Sequence, residues 1–490
     1  MSLPRLPAAM VRIAIVAVAL VTLVLSACTS TRAPSSPRAR ADEPIDEALA
    51  EEIAEQQEVL DERTEALEAA TEAGTLGIVE PVRRVPSPGW AGQRIVNRRG
   101  NDWEPAVAAD PNAPFVYILH NRYGGRGACA NGCPDPAMIL HVSDDGGATW
   151  QPERFLCRCK GIGGQFDPLI EVVPDTGEVF AVWMNGFKIQ FARSTDHGAT
   201  WSKPTFIHPD VKWGDKPNLA ISDDGQDVYV QFNGPTGGDA YASASHDGGA
   251  TWSTTKITES DRYYFDYGGA VLPNGVVVFS QISFTYSGPH DAAEGVQRIH
   301  VFRSHDEGAT WDELAVDELE LGRECTSRSC YGDFYDSGPA LAADADGDLV
   351  IVYNGASRHF GPQTVYARSS NNGGITWSDR VPLSKDGANS AFPAAAGEGD
   401  DMVRVWFMAQ RNQRWQVWYR TTDDLGATWS SREKLSDATS GTVYKHPTGF
   451  DEAYGDYGEI AITSDGHTIG VWGEGTSYHG PGGVWFNRQT

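Results

Sequence analysis

Carboxylates, arginines and tyrosines recur at matching places along this 490-residue chain, and their types define the chemistry open to it. Glu104, Asp167, Asp215, Asp266, Asp336 and Asp456 stand at or near the beginnings of short apolar runs, with Tyr264, Tyr267, Tyr335, Tyr454 and Tyr457 close by. Arg122, Asn185, Asn233, Gln281, Arg358, Arg411 and Glu474 follow the next runs, and His290, His359 and His479 come just after. Convergent carboxylates, cations and aromatic faces suit an acidic or polar sugar. Two carboxyls brought together raise one another's pKa, which sets an acid beside a base. A single aspartate of this kind can equally cap a turn or pair with an arginine; the recurrence gives the set its weight. The chain has no serine nucleophile elbow, His-Glu-x-x-His site, Walker loop or dinucleotide fingerprint, so neither a metal nor a cofactor is expected.

The elements that must position these groups are set by six near-copies of Ser/Thr-x-Asp/Asn-x-Gly-x-Thr-Trp. They end at Trp150, Trp201, Trp252, Trp311, Trp377 and Trp429, spaced 51, 51, 59, 66 and 52 residues apart. That period is one four-stranded blade of a β-propeller with variable loops. Within each copy, Ser or Thr and Asp can bond to backbone amides, glycine supplies positive φ, and the tryptophan opens a strand with a large apolar face. The segment is therefore a strand-to-strand turn with no catalytic duty. It also lacks the ligand count and the final glutamate of an EF-hand loop.

An all-β fold of seven four-stranded blades follows over residues 92–490, because innermost strands begin near Glu104, Asp167, Pro217, Asp266, Asp336, Phe392 and Asp456. Seven beginnings for six turns leave the last repeat, Tyr457 to Asn487, short of its fourth strand. Gln93 to Arg98 is placed to supply it and close the ring. On this reading the beginnings of innermost strands and the ends of second strands share one face, opposite the box turns.

Ahead of the blades, Ile13 to Leu25 form an apolar run flanked by Arg5 and Arg12 and ending in Leu25-Ser26-Ala27-Cys28. It is short for a membrane span and resembles the lipobox of a bacterial lipoprotein signal peptide. Residues 1–27 would be cleaved, Cys28 lipidated, and the rest held outside the cytoplasm on the membrane. Residues 28–42 read as a flexible tether, 43–73 as an acidic helical stalk that can also mediate self-association, and 74–91 as a linker. Six further cysteines in an exported chain suggest three disulfides: Cys129 and Cys133 with Cys157 and Cys159, in either pairing, and Cys325 with Cys330. The net charge of −27 argues against nucleic acid and against an anionic membrane surface.

The boxes and the blade pattern resemble the sialidase-type Asp-box, or BNR-repeat, propellers. That resemblance covers residues 92–490 and marks a superfamily, not one activity, because the turn also occurs in other glycosidases and in receptors. Sialidases clamp a carboxylate with three arginines and use an aspartate acid/base and a tyrosine nucleophile; no Arg-Ile-Pro segment precedes the first box here. The resemblance implies a surface-anchored exo-glycosidase acting on an acidic or polar glycan. Its catalytic carboxylate would come from Asp167, Asp266 and Asp336, with a second carboxylate or a tyrosine as partner. Arg122, Arg358, Arg411, Tyr457 and Glu474 would bind substrate. The alternative is a noncatalytic propeller that binds glycan or protein through the same rim.

Overall fold

The computed structural model describes residues 83–98, 101–124, 134–157, 164–234, 238–259, 262–286, 293–322, 338–385, 387–444, 455, 457–475 and 482–490, together with Ala54, Glu65, Glu68, Ala69 and Glu72. Of Asp266, Tyr286, Ala293, Glu294 and Gly295 only the backbone is described. The proposed signal segment, Cys28 and the tether lie outside these residues. Within the expected stalk the five residues named are helical and exposed, and the described residues contain no helical stalk.

Twenty-eight strands form antiparallel meanders, as the alternation of apolar and polar residues between glycine-rich turns dictates. The first four-stranded unit runs Asn101–Ala109, Val116–Tyr123, Ala137–Ser143 and Arg154–Phe155. Five more units follow the same order, their innermost strands being Gln165–Val172, Asp215–Ile221, Tyr263–Val271, Ala340–Ala343 and Ser390–Glu398. The fourth and fifth units are joined into one eight-stranded sheet by a single bridge from Glu320 to Ala356. The last unit has three strands, Glu459–Ile462, Thr468–Gly475 and Gly482–Arg488. Its fourth is Arg94–Ile95, with Arg94 opposite Phe486 and Ile95 opposite Trp485.

Each innermost strand packs against the next, and Asn101–Ala109 packs against both Gln165–Val172 and Glu459–Ile462. The apolar cores lie between neighbouring units. Val107, Ile118, Ala461, Val471, Val484 and Phe486 form the one that joins the first unit to the last. Close approach at the centre requires residues without a side chain. A Cβ on Gly397 would lie 1.9 Å from the Ala343 carbonyl oxygen of the preceding unit.

A strap formed by residues 83–98 lies against the sixth and last units. Trp90 packs edge-on against Tyr419 at 5.1 Å between ring centroids. Arg84 reaches Asp437 at 3.0 Å and Glu474 at 3.3 Å. Gln93 donates from its side chain to Glu474 at 2.9 Å and from its backbone to Asp437 at 3.1 Å.

The box turns satisfy themselves. In the second, Ser194 Oγ donates to Asp196 Oδ1 at 2.8 Å, while Asp196 accepts from Thr200 N at 2.7 Å and from Thr200 Oγ1 at 2.6 Å. Asn372 replaces the aspartate in the fifth box and still accepts from Thr376 N at 3.0 Å while donating to Thr376 Oγ1 at 2.7 Å. A neutral amide serves as well as a carboxylate, so the box residue is a turn-former rather than an acid or a ligand.

Candidate functional site

The innermost strands share a break in register that creates the site. In the first unit Trp103 opposes Asn121 and Ala106 opposes Leu119, so Glu104 and Pro105 together face one residue of the second strand. The same bulge occurs at Asp167-Pro168, Lys216-Pro217, Tyr267-Gly268 and Phe392-Pro393. Counting along the registers of the fifth and seventh units places Gly338-Pro339 and Tyr457-Gly458 at the corresponding position. Proline fits because a bulge leaves an amide without a ladder partner. Glu104, Asp167, Lys216 and Phe392 take left-handed φ values of 53°, 45°, 48° and 54°. Four side-chain-bearing residues held in a sparsely populated conformation at one structural layer mark that layer as functional.

The five bulges and the two corresponding positions lie beside a cavity of about 510 Å³, lined at this level by Asp167, Lys216, Tyr267, Phe392 and Tyr457. Tyr457 Oη donates to Asp167 Oδ1 at 3.1 Å. Lys216 Nζ lies 3.8 Å from the same oxygen and 5.5 Å from the centre of the Tyr457 ring. Glu104 Oε2 accepts the backbone N–H of Asp167 at 3.2 Å and is also bonded by the Asn121 amide, which fixes the bulge of one unit against its neighbour. The result is a phenol, a carboxylate and an ammonium in mutual contact at the opening of a small-ligand-sized space, a geometry suited to proton transfer and to charge stabilisation.

Further along, the cavity is lined mainly by alanines and aliphatic side chains, with two carboxyls, Glu171 and Glu459. Glu459 Oε2 accepts the Val107 N–H at 2.7 Å. The cavity walls push Glu459 well above the usual carboxylate range, with the nearby Glu171 adding to the effect; Glu171 shifts in the same direction while its side chain stays open to solvent.

The residues singled out from sequence fare differently. Asp167 and Tyr457 meet. Asp266 pairs through its backbone with Gln281, one residue before the bulge position that Tyr267 occupies, and Asp215 likewise precedes Lys216. Asp336, Asp456, Tyr454, Tyr335, His290 and His479 lie outside the described residues. The acidic column thus holds the bulge position only at Glu104 and Asp167; elsewhere the inserted residue moves it one place or more off that position.

Arg122 does not stand as a substrate clamp. Its Nε and Nη2 donate to Asp102 at 2.6 and 3.1 Å, and its Nη1 and Nη2 donate to Glu153 at 2.7 and 2.9 Å. Burial opposes its charge, but Asp102 and Glu153 hold the guanidinium above its ordinary range. Beneath it, His120 and His141 contact each other through Nε2 atoms at 3.0 Å, and burial aided by like charge pushes both down to about 3. Glu474 is similarly committed, to Arg84, Gln93 and the Trp472 indole at 3.1 Å. Arg358 and Arg411 are exposed, just past and at the ends of the second strands of the fifth and sixth units. The cation that reaches Asp167 is Lys216, which a reading confined to arginines misses; its signal is the repeated residue-plus-proline that it shares with Glu104 and Asp167.

Cys157 is disulfide-bonded, and Cys129, Cys133, Cys159, Cys325 and Cys330 lie outside the described residues. Asp344, Asp348 and Asp401 bring carboxylate oxygens within 4.8 Å of one another, as a cation site would. Asp344 there already accepts the backbone N–H groups of Asp346, Asp348 and Asp401.

Comparison with known proteins gives three results. The profile of the BNR repeat-like domain matches residues 228–471. A xyloglucanase from Paenibacillus sp. is 26% identical over 318 residues, which cover 60% of this chain and 28% of that one; the chain thus spans little more than a quarter of that relative's length. Among solved structures, a polysaccharide lyase described as a PL25 ulvan lyase is 12% identical with a TM-score of 0.48, over 82% of this chain and 95% of that one. The intramolecular trans-sialidase from Ruminococcus gnavus is 13% identical with a TM-score of 0.43, over 83% and 98%.

Proposed function

Because this chain belongs to the BNR-repeat superfamily, we propose that it is a glycan-active hydrolase whose reaction centre is the opening of the axial cavity, in a propeller of seven blades closed by Arg94–Ile95. The observation that carries the reading is the 3.1 Å hydrogen bond from Tyr457 Oη to Asp167 Oδ1, with Lys216 beside both. A nucleophile hydrogen-bonded to a base, with a cation near the developing charge, is the arrangement that activated nucleophiles require. Asp167 takes the phenolic proton as Tyr457 Oη attacks the anomeric carbon, and Lys216 stabilises both the phenolate and an anionic group on the sugar. A second carboxyl, Asp336, protonates the leaving oxygen. Water then displaces Tyr457 from the anomeric carbon, giving one proton to that carboxylate, while Asp167 returns the phenolic proton to Tyr457 Oη. A cavity of about 510 Å³ suits one or two terminal sugar units, which supports exo action on an acidic or polar glycan. Anchoring through Cys28 would set this activity outside the cytoplasm at the membrane, with residues 43–73 as spacer or self-association segment.

The test is turnover of a panel of sialosides, uronides and neutral glycosides by the wild type and by Tyr457→Phe and Asp167→Asn. Each variant is expected to lose activity by about 10²–10⁴-fold while keeping the wild-type melting profile. Undiminished turnover in Tyr457→Phe would remove the tyrosine from the mechanism. A second reading, noncatalytic glycan binding, is favoured by the commitment of Arg122 and Glu474 to internal ion pairs and hydrogen bonds. Binding without turnover of any glycoside would establish it.

A further inference from the structure

Past the end of the second strand of the fifth unit, the chain places an aromatic ring in solvent at a conformational cost. Phe360 lies between Leu349–Ala356 and Gln363–Ser370, in a loop on the same face as the bulges. It is 43% exposed, and among the described side chains no other phenylalanine, tyrosine or tryptophan is exposed. Its φ of 55° is one that a bulky side chain rarely adopts and that glycine or asparagine would take without strain. The ring is only partly covered and its backbone is strained, so core packing alone does not account for a phenylalanine here.

The backbone around it is fixed on both sides. Phe360 N donates to Leu321 O at 2.8 Å, and Gly361 N donates to Arg358 O at 2.8 Å. The His359 ring lies against Phe360, with centroids 3.8 Å apart and planes inclined by 31°. His359 Nδ1 is 3.7 Å from Glu320 Oε2 at the end of the preceding unit's outer strand. The guanidinium-bearing side chain of Arg358 is exposed beside them. None of the three residues lines the central cavity.

We propose that Arg358, His359 and Phe360 form a rim subsite for a sugar unit carrying a carboxylate or sulfate, within a glycan long enough to extend beyond the axial cavity. The aromatic rings present a flat apolar surface to the C–H face of a pyranose, and the guanidinium pairs with an anionic substituent. A rigid loop presents this surface at little cost in ordering. The subsite concerns recognition and stands whether or not the axial cavity is hydrolytic.

The experiment is calorimetric titration of the full chain with hexagalacturonate, with neutral cellohexaose as the control. Phe360→Asn removes the ring and suits the left-handed backbone, so its melting temperature is expected at or above that of the wild type. Its affinity for hexagalacturonate is expected to fall about tenfold. Arg358→Gln is expected to weaken hexagalacturonate and leave cellohexaose unchanged. Unchanged affinity in Phe360→Asn would overturn the proposal, as would a wild type that binds no hexagalacturonate or binds cellohexaose as tightly. A wild type that binds hexagalacturonate in a Phe360-dependent way but turns over no glycoside would leave this subsite standing and remove the axial reaction, which separates the two.

Discussion

Replacing Arg122 with alanine tests whether this guanidinium belongs to the fold or to a ligand. Its partner Asp102 has no solvent-accessible side-chain surface, and the Arg122 side chain is 4% exposed. Removing the cation leaves a buried carboxylate without its ion-pair partner, which typically costs about 3–5 kcal/mol, whereas an exposed pair is worth roughly 0–1 kcal/mol. Arg122→Ala should therefore lower the unfolding free energy by about 3–5 kcal/mol in urea titrations followed by tryptophan fluorescence. Asp102→Asn combined with it should cost less than the sum of the separate changes, because the two lose a shared interaction.

The pH dependence adds a second signature. His120 and His141 have folded pKa values near 3, below the free imidazole value of about 6.5, so the folded state binds fewer protons than the unfolded one and the wild type loses stability as pH falls below about 6.5. His120 Nδ1 lies 3.8 Å from Asp102 Oδ1. Without Arg122, protonated His120 becomes the available countercharge and its folded pKa rises. The gap between wild type and Arg122→Ala should consequently narrow between about pH 8 and about pH 5. A loss below about 1 kcal/mol with no pH trend, accompanied by weakened glycan binding, would refute the structural assignment and return Arg122 to the ligand site.

Gly397→Ala sets a Cβ 1.9 Å from the Ala343 carbonyl oxygen, so a loss of about 1–3 kcal/mol or more is expected in thermal melts. Gln93→Ala removes the strap's hydrogen bonds to Glu474 and Asp437, and should cost about 1–3 kcal/mol and open the last unit to hydrogen exchange before the others. Glu459, half-buried and accepting the Val107 N–H, has its folded pKa held well above the ordinary carboxylate range, so the folded state binds more protons and the wild type loses stability as pH rises above about 4.5. Glu459→Gln should accordingly raise the melting temperature relative to the wild type at about pH 8 and much less at about pH 4; an equal effect at both would show that its ionisation is not linked to folding.

The repeat, the turn chemistry and the pairing of an N-terminal segment with the last sheet are all legible in the residues. Each rests on local physics: Ser, Asp, Gly, Thr and Trp make a turn by bonding to amides four or fewer residues away. The site was legible in part. Asp167 and Tyr457 stand out because acids and tyrosines recur before apolar runs, but a bulge inserts one residue and shifts which side chain faces the cavity. Hence the sequence points to Asp266 where Tyr267 occupies the position, and the recurring acid at Asp215 stands one residue before Lys216. The repeated proline after Glu104, Asp167, Lys216 and Phe392 carries the correct register. The commitment of Arg122 to Asp102 and Glu153 has no sequence signature, because the contacts follow from strand pairing and from the handover between units.

The strand Arg94–Ile95 is made nearly four hundred residues ahead of its partner Gly482–Arg488. A chain emerging from N to C terminus therefore carries an unsatisfied strand through the synthesis of every unit between them. Until Gly482–Arg488 arrives, the first and last units lack their shared core and keep unpaired edges. Completion is a long-range closure, slow by its topology and open to pairing with another copy in the meantime. Deleting Gly482–Arg488 would remove the partner of a segment nearly four hundred positions away, so two stretches far apart in the sequence are under one constraint.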